Sequence, residues 1–165
     1  MSTTNSTLLV QRNEKHCFTQ FTCSSICLGS YNLNGSSFIV QVSRKSVLLK
    51  SVCTRKNSEL NNGAFQFDLH FPAKELLEFA THFHPTHPAI FLTFTPELSQ
   101  NFSGLLNLDK NGSYWNSKSQ KESEKRIILI PCKLDISVTS AIKEIFSLNR
   151  NVGFRELTVA EATRQ

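Results

Sequence analysis

Three histidines, His82, His84 and His87, fall within six residues, with His70 a short way upstream. Imidazoles at that density can hold a metal ion. Pro85 and Pro88, however, force an extended path through the cluster, and no cysteine or carboxylate lies inside it. The cluster therefore reads as a polar turn, and no metal or other cofactor is expected. The five cysteines are Cys17, Cys23, Cys27, Cys53 and Cys132. Their number is odd and no C-x-x-C pair occurs, which argues against both a disulfide framework and a zinc knuckle. They are expected to be reduced, mostly buried thiols of an intracellular protein, nuclear or cytoplasmic. A nucleophilic cysteine needs a neighbouring base and a setting that favours the thiolate. Cys27, Cys53 and Cys132 instead fall in predicted core strands or at their ends. No Gly-rich phosphate loop and no acidic metal cluster appears. The residues thus point away from catalysis and from a small-molecule substrate.

Charge gives a second set of candidates. The formal net charge is +5 and the sequence pI is about 9.1, which suits an acidic partner. The candidate basic surface is Arg44, Lys45, Arg55 and Lys56; a further run at 118–126 is mixed with Glu122 and Glu124. No aromatic residues interleave with these cations as single-stranded nucleic acid would require. A third candidate is Ile127-Ile128-Leu129-Ile130 behind Glu122 and Glu124. It resembles a SUMO-interacting motif, an apolar strand that adds to an exposed sheet edge with its acidic flank on a basic surface. Lys125 and Arg126 interrupt that flank, and a run this apolar also fits a core strand.

The elements that must position these residues are mostly strands. In the segment 65–71, Phe65, Phe67, Leu69 and Phe71 alternate with Gln66, Asp68 and His70. A period of two gathers the apolar four on one face of a strand. That face requires a facing layer, so the segment implies a sheet with a core on one side. Further strands are predicted at 21–28, 38–42, 47–52, 89–94 and 127–130. Asn34-Gly35 marks a hairpin turn between the first two. The segment 74–83 has helix-forming composition, but Leu77, Phe79, Thr81 and Phe83 alternate, and strand is preferred. Residues 97–106 form a short helix with Thr95 as candidate cap. Val138, Ala141, Ile142, Ile145 and Leu148 recur at helical spacing, so 135–148 is an amphipathic helix capped by Asp135 or Ser137.

The organisation expected is a flexible N-terminal tail (1–19), one domain (20–148) with an exposed insertion at 109–125, and a polar C-terminal tail (149–165). No basic segment followed by an apolar run opens the chain, so no signal peptide is expected. The glycosylation-type sites at Asn5, Asn34, Asn101 and Asn111 then carry no weight. The fold class is mainly β with a C-terminal α-helix. Six or seven antiparallel strands and a closing helix fit a pleckstrin-homology-like antiparallel barrel; the alternative is an α+β antiparallel sandwich.

Several segments together resemble one family. Cys23-Ser24-Ser25-Ile26-Cys27-Leu28-Gly29-Ser30-Tyr31 is similar to the opening of the pleckstrin-homology-like domain in SUMO-specific (sentrin-specific) proteases of the chain-editing branch. The alternating strand at 65–71, then Ala73-Lys74-Glu75-Leu76 and His82-Phe83, resembles its middle. So does Pro88-Ala89-Ile90-Phe91-Leu92-Thr93-Phe94-Thr95-Pro96. Tyr114-Trp115, Glu124-Lys125-Arg126 with the Ile127 strand and Pro131, and the helix to Phe146 resemble its end. That family's peptidase domain has a His-Trp pair, an Asp, and a Gln upstream of a Cys-Gly nucleophile. Here the single Trp115 follows Tyr114 and no Cys precedes a Gly.

The resemblance therefore implies the accessory domain alone, a non-catalytic module that positions or regulates SUMO deconjugation. It implies a protein partner, SUMO or another protein of that pathway, met through a strand edge or the groove beside the C-terminal helix. Lipid-binding relatives of the fold carry cations in the first hairpin loop, whereas 31–37 holds none. A peripheral domain binding phosphoinositide or nucleic acid through Arg44, Lys45, Arg55 and Lys56 is the alternative.

Overall fold

The computed structural model describes residues 18–53, 66–105, 115–116 and 119–164. The first strand, β1, runs Phe18–Leu28, and β2 runs Tyr31–Ser43. Thr19, Phe21 and Cys23 are buried and then Ile26 and Leu28, so the inward parity switches from odd to even. A bulge between Cys23 and Ser25 makes the switch. β2 answers with Leu33 and then Phe38, Val40 and Val42 inward.

Asn34-Gly35 accordingly lies inside β2, within the irregular stretch facing the bulge, and does not make the predicted turn. The hairpin turns at Gly29-Ser30, where Leu28 faces Tyr31. Gly29 has φ +60°, and a Cβ there would sit 2.6 Å from the Trp115 Cα. Only glycine meets both conditions.

β3 (Ser46–Cys53) and β4 (Gln66–Pro72) complete the first half of the sheet. On β4, Leu69 and Phe71 are buried while Asp68 and His70 face outward, as alternation predicts. Phe65 lies outside the described residues. A 3-10 turn at Ala73–Glu75 then bends the chain into β5 (Leu76–His82), which is a strand as preferred. A bulge at Leu77 corrects its predicted face. Leu76 and Phe79 point into the core and Leu77 is 51% exposed.

β6 (Ala89–Phe94) and β7 (Arg126–Pro131) return antiparallel. The order across the sheet is β4-β3-β2-β1-β7-β6-β5-β8. β1 is the seam: it pairs with β2 over its length and with β7 through Cys23–Leu28. The core lies between the two halves, in an open, barrel-like arrangement.

Helices close the ends. α1 (Pro96–Leu105) buries Leu98 and sets Phe102 against Phe71, 4.8 Å between ring centres. Trp115 completes this cluster at 6.1 Å from both Phe71 and Phe94, and is 3% exposed. The stretch predicted as an exposed insertion thus returns to the core at Trp115, with Glu124 also buried. α2 (Ile136–Ser147) is capped by Asp135 as predicted and buries Ile142, Ile145 and Phe146. Leu148, counted on that stripe, is 59% exposed because the helix ends before it.

The predicted polar tail is part of the sheet. β8 (Gly153–Glu156) pairs parallel with β5. Phe154 stacks on Phe146 at 5.7 Å, and Leu157 fills a second cluster with Ala80 and Phe91. Its short length and exposed pattern hid it, since a four-residue edge strand has no readable period. A short α3 (Val159–Thr163) follows.

Candidate interaction surfaces

The apolar run Ile127-Ile128-Leu129-Ile130 is β7. Ile127 and Leu129 are fully buried in the core, and Ile128 and Ile130 are half-buried on the outer face. β1 pairs with it on one side and β6 on the other. From Ile127 to Leu129 the strand is paired on both sides, and Ile130 is paired with β1, so the run is an interior strand of the sheet. Its acidic flank is spent. Glu122 contacts Lys125 at 3.0 Å and Arg126 at 3.3 Å, and the hydrogen bond from Lys125 holds its carboxyl below the usual range. Glu124 accepts from Ser119 and faces Lys121.

Arg44 and Lys45 form the exposed turn before β3. Arg55 and Lys56 lie outside the described residues. Lys45 also fixes the corner of the fold, its carbonyl accepting from the Ala73 N–H at 2.8 Å.

The histidines do come together. His82 and His84 have ring centres 5.5 Å apart, and His84 and His87 5.7 Å. Their nitrogens serve the local structure. His84 Nδ1 accepts the backbone N–H groups of Thr86 and His87 at 3.2 and 3.3 Å, which closes the β5–β6 turn. His82 Nδ1 lies 3.0 Å from the Leu157 carbonyl and ties β5 to the segment after β8. No group of three or more potential metal ligands forms among the described residues. Of the cysteines, Cys23 is buried, and burial pushes its thiol well above the ordinary range, with Cys132 adding to the shift. Cys27 is half-buried, and Cys132 is exposed, against expectation, because it follows the end of β7.

Beside the C-terminal helix an open groove of about 710 Å³ runs between the β5–β6 turn and the start of α2. Phe83, Pro85, Leu134 and Ile136 give it apolar surface, and His84, Lys133 and Asp135 supply polar groups. Asp135 is already engaged: its carboxylate accepts from the Ser137 hydroxyl at 2.7 Å and the Val138 N–H at 3.2 Å. Those bonds hold its pKa below the ordinary value. Lys143 lies 5.4 Å from the centre of the Phe83 ring and pairs with Glu156. Ile136 is 84% exposed. The groove was anticipated, but its residues were not. The signal was there: Ile136 is apolar yet off the Val138-Ala141-Ile142-Ile145 stripe.

Farther along α2, the cleft toward β5 is filled by the chain itself. Phe154 sits among Phe79 and Phe146, while Arg155 pairs with Glu78 at 2.6 Å.

One long, bulged sheet folded around a core, with an amphipathic helix against it after β7, defines a pleckstrin-homology-like domain. The model of the SENP6/SENP7 PH-like domain matches residues 18–165, and the chain belongs to that family. The domain is by family a non-catalytic accessory one. The match reaches past the predicted boundary at 148 and takes in β8 and α3. No curated protein matches the chain. A solved structure of a synaptonemal complex protein aligns with a TM-score of 0.40 at 14% identity, over 79% of this chain and 28% of that one.

Proposed function

We propose that this chain is a protein-interaction domain that positions or regulates SUMO deconjugation through contacts with SUMO or with a protein of that pathway, in the nucleus or cytoplasm. The observation that carries the reading is the family match across the whole described domain. One structural feature supports it. The groove beside α2 offers apolar and charged groups together, as protein contacts do.

The test is titration of isotope-labelled chain with SUMO monomer and SUMO chains, paired with a SUMO-chain cleavage assay using a SENP-type peptidase domain. Localised chemical-shift changes, or a changed cleavage rate on adding the chain, are the expected results. Unchanged spectra together with an unchanged rate would overturn the reading. Binding to anionic vesicles that falls steeply with salt would put a peripheral membrane role in its place.

A further inference from the structure

We propose that the segment from Leu157 onward is a latched strap. It lifts from the outer face of the sheet while the rest of the domain stays folded, and so hides or shows an apolar row on β5–β7. Register sets the row. Ala80 faces Phe91, Phe91 faces Ile128, and Ile128 faces Cys27, one position on each of four neighbouring strands. Their chain neighbours Phe79, Leu92 and Ile127 point into the main core, so the row lies on the opposite face. Ala80 and Phe91 are nonetheless buried, in a separate small cluster closed by Leu157. The same face of β1 and β2 carries Gln20 and Gln41, joined at 2.7 Å, and needs no such cover.

The cover is held at one residue. The Leu157 N–H donates to the Thr81 carbonyl at 2.6 Å, and the Leu157 carbonyl lies 3.0 Å from His82 Nδ1. A carbonyl only accepts, so His82 carries its proton on Nδ1. Beyond this latch, the hydrogen bonds of 158–164 among the described residues all close within the segment. The segment forms no ion pair there; Arg155, which attracts Glu161, is itself paired with Glu78. α3 buries no residue, and Ala162 alone is half-buried against the row. β8, just before the latch, is fixed by Phe154 on Phe146 and by Arg155 and Glu156 on Glu78 and Lys143. The boundary between the fixed and the lifting part therefore falls between Glu156 and Leu157. A segment with so few buried apolar contacts opens at a fraction of the global free energy. The capping box keeps α3 formed, so the strap leaves as a unit.

Two readouts on the full chain test it. The first is amide hydrogen exchange of the unaltered chain. The Leu157 N–H is freed only when the latch opens, and it should exchange at least about 100-fold faster than the slowest amides of β6 and β7. The second is peptide-resolved alkylation of Ala80→Cys, which puts a thiol beneath the strap. Cys23, buried in the main core, is the internal reference. Position 80 should be labelled at least about 100-fold faster than Cys23. His82→Ala should speed exchange at Leu157 about three- to tenfold. His82→Asn, which offers a side-chain N–H in place of Nδ1, should recover part of that loss. Exchange at Leu157 and labelling at position 80 that both keep pace with the core would make the segment an integral part of the fold and overturn the proposal. Fast exchange confined to 158–164, with Leu157 as slow as β6, would overturn it too, since the end of a helix would then be fraying over a closed cover. The exchange measurement needs no substitution, so it decides the question even if Ala80→Cys fails to fold.

Discussion

At the scale of single residues, Gly29 and Trp115 are one feature. The glycine takes φ +60° at the β1–β2 turn and donates its N–H to the Arg126 carbonyl at 2.8 Å. The space where a side chain would stand is filled by Trp115 backbone. Trp115 in turn donates from Nε1 to the Lys125 carbonyl at 3.3 Å. Gly29→Ala should therefore cost about 2 kcal/mol or more, the left-handed conformation and the overlap adding together. Gly153→Ala meets only the Leu77 carbonyl oxygen at 3.3 Å and should cost less than half as much. Urea denaturation of the two variants checks the difference. Equal losses would mean that the turn tolerates a side chain.

Elements show which parts of the fold could be read from sequence. The β4 alternation and the α2 stripe were legible because each buries one regular face, and the central β6 and β7 because each is a short, nearly continuous apolar run. Parity switches were not. The bulges after Cys23 and at Leu77 each insert one residue whose only trace is a broken period, and Asn34-Gly35 mimicked a turn inside a strand. β8 and the residue after it were hidden because their contribution is made by two side chains, Phe154 and Leu157, across a long sequence separation. Of the candidate site, the groove beside the helix was legible and its residues were not, since a groove is a property of two elements at once.

The same C-terminal extension makes a pH prediction at this scale. Glu161 closes a capping box with Thr158, and the bonds from the Thr158 N–H and hydroxyl hold its carboxyl below the ordinary value. A depressed carboxyl stabilises at pH above its unfolded value, and that support is lost as pH falls through the folded one. Hydrogen-exchange protection over α3 should therefore decline on acidification through the carboxylate range. In Glu161→Gln, which keeps the acceptor and loses the charge, the decline at α3 should flatten. An unaltered pH profile in that variant would remove Glu161 from the explanation.

For the whole molecule, the decisive fact is that β1 belongs to both halves of the sheet. Phe71 of β4 meets Phe94 of β6 as well as Phe102 and Trp115, so this cluster joins the two halves. Phe79 anchors the β5 side with Phe146 and Phe154. Both phenylalanines are fully buried. Two independently stable halves would need separate edges, but Cys23–Leu28 is hydrogen-bonded to β2 and β7 at once, so opening one half exposes the backbone of the other. Unfolding should then be a single cooperative transition. Trp115 is the only tryptophan and sits in the Phe71 cluster, so its fluorescence reports there, while far-ultraviolet circular dichroism reports the whole sheet. The two signals should give one midpoint. Phe71→Ala and Phe79→Ala should each lower the unfolding free energy by about 3–5 kcal/mol, with both signals still coincident. If Phe79→Ala shifted the dichroism and left the Trp115 transition in place, the halves would be separable and β1 would not be the seam. Coincidence in both variants would mean that a ligand seated beside α2 stabilises the distant Trp115 corner by the same free energy.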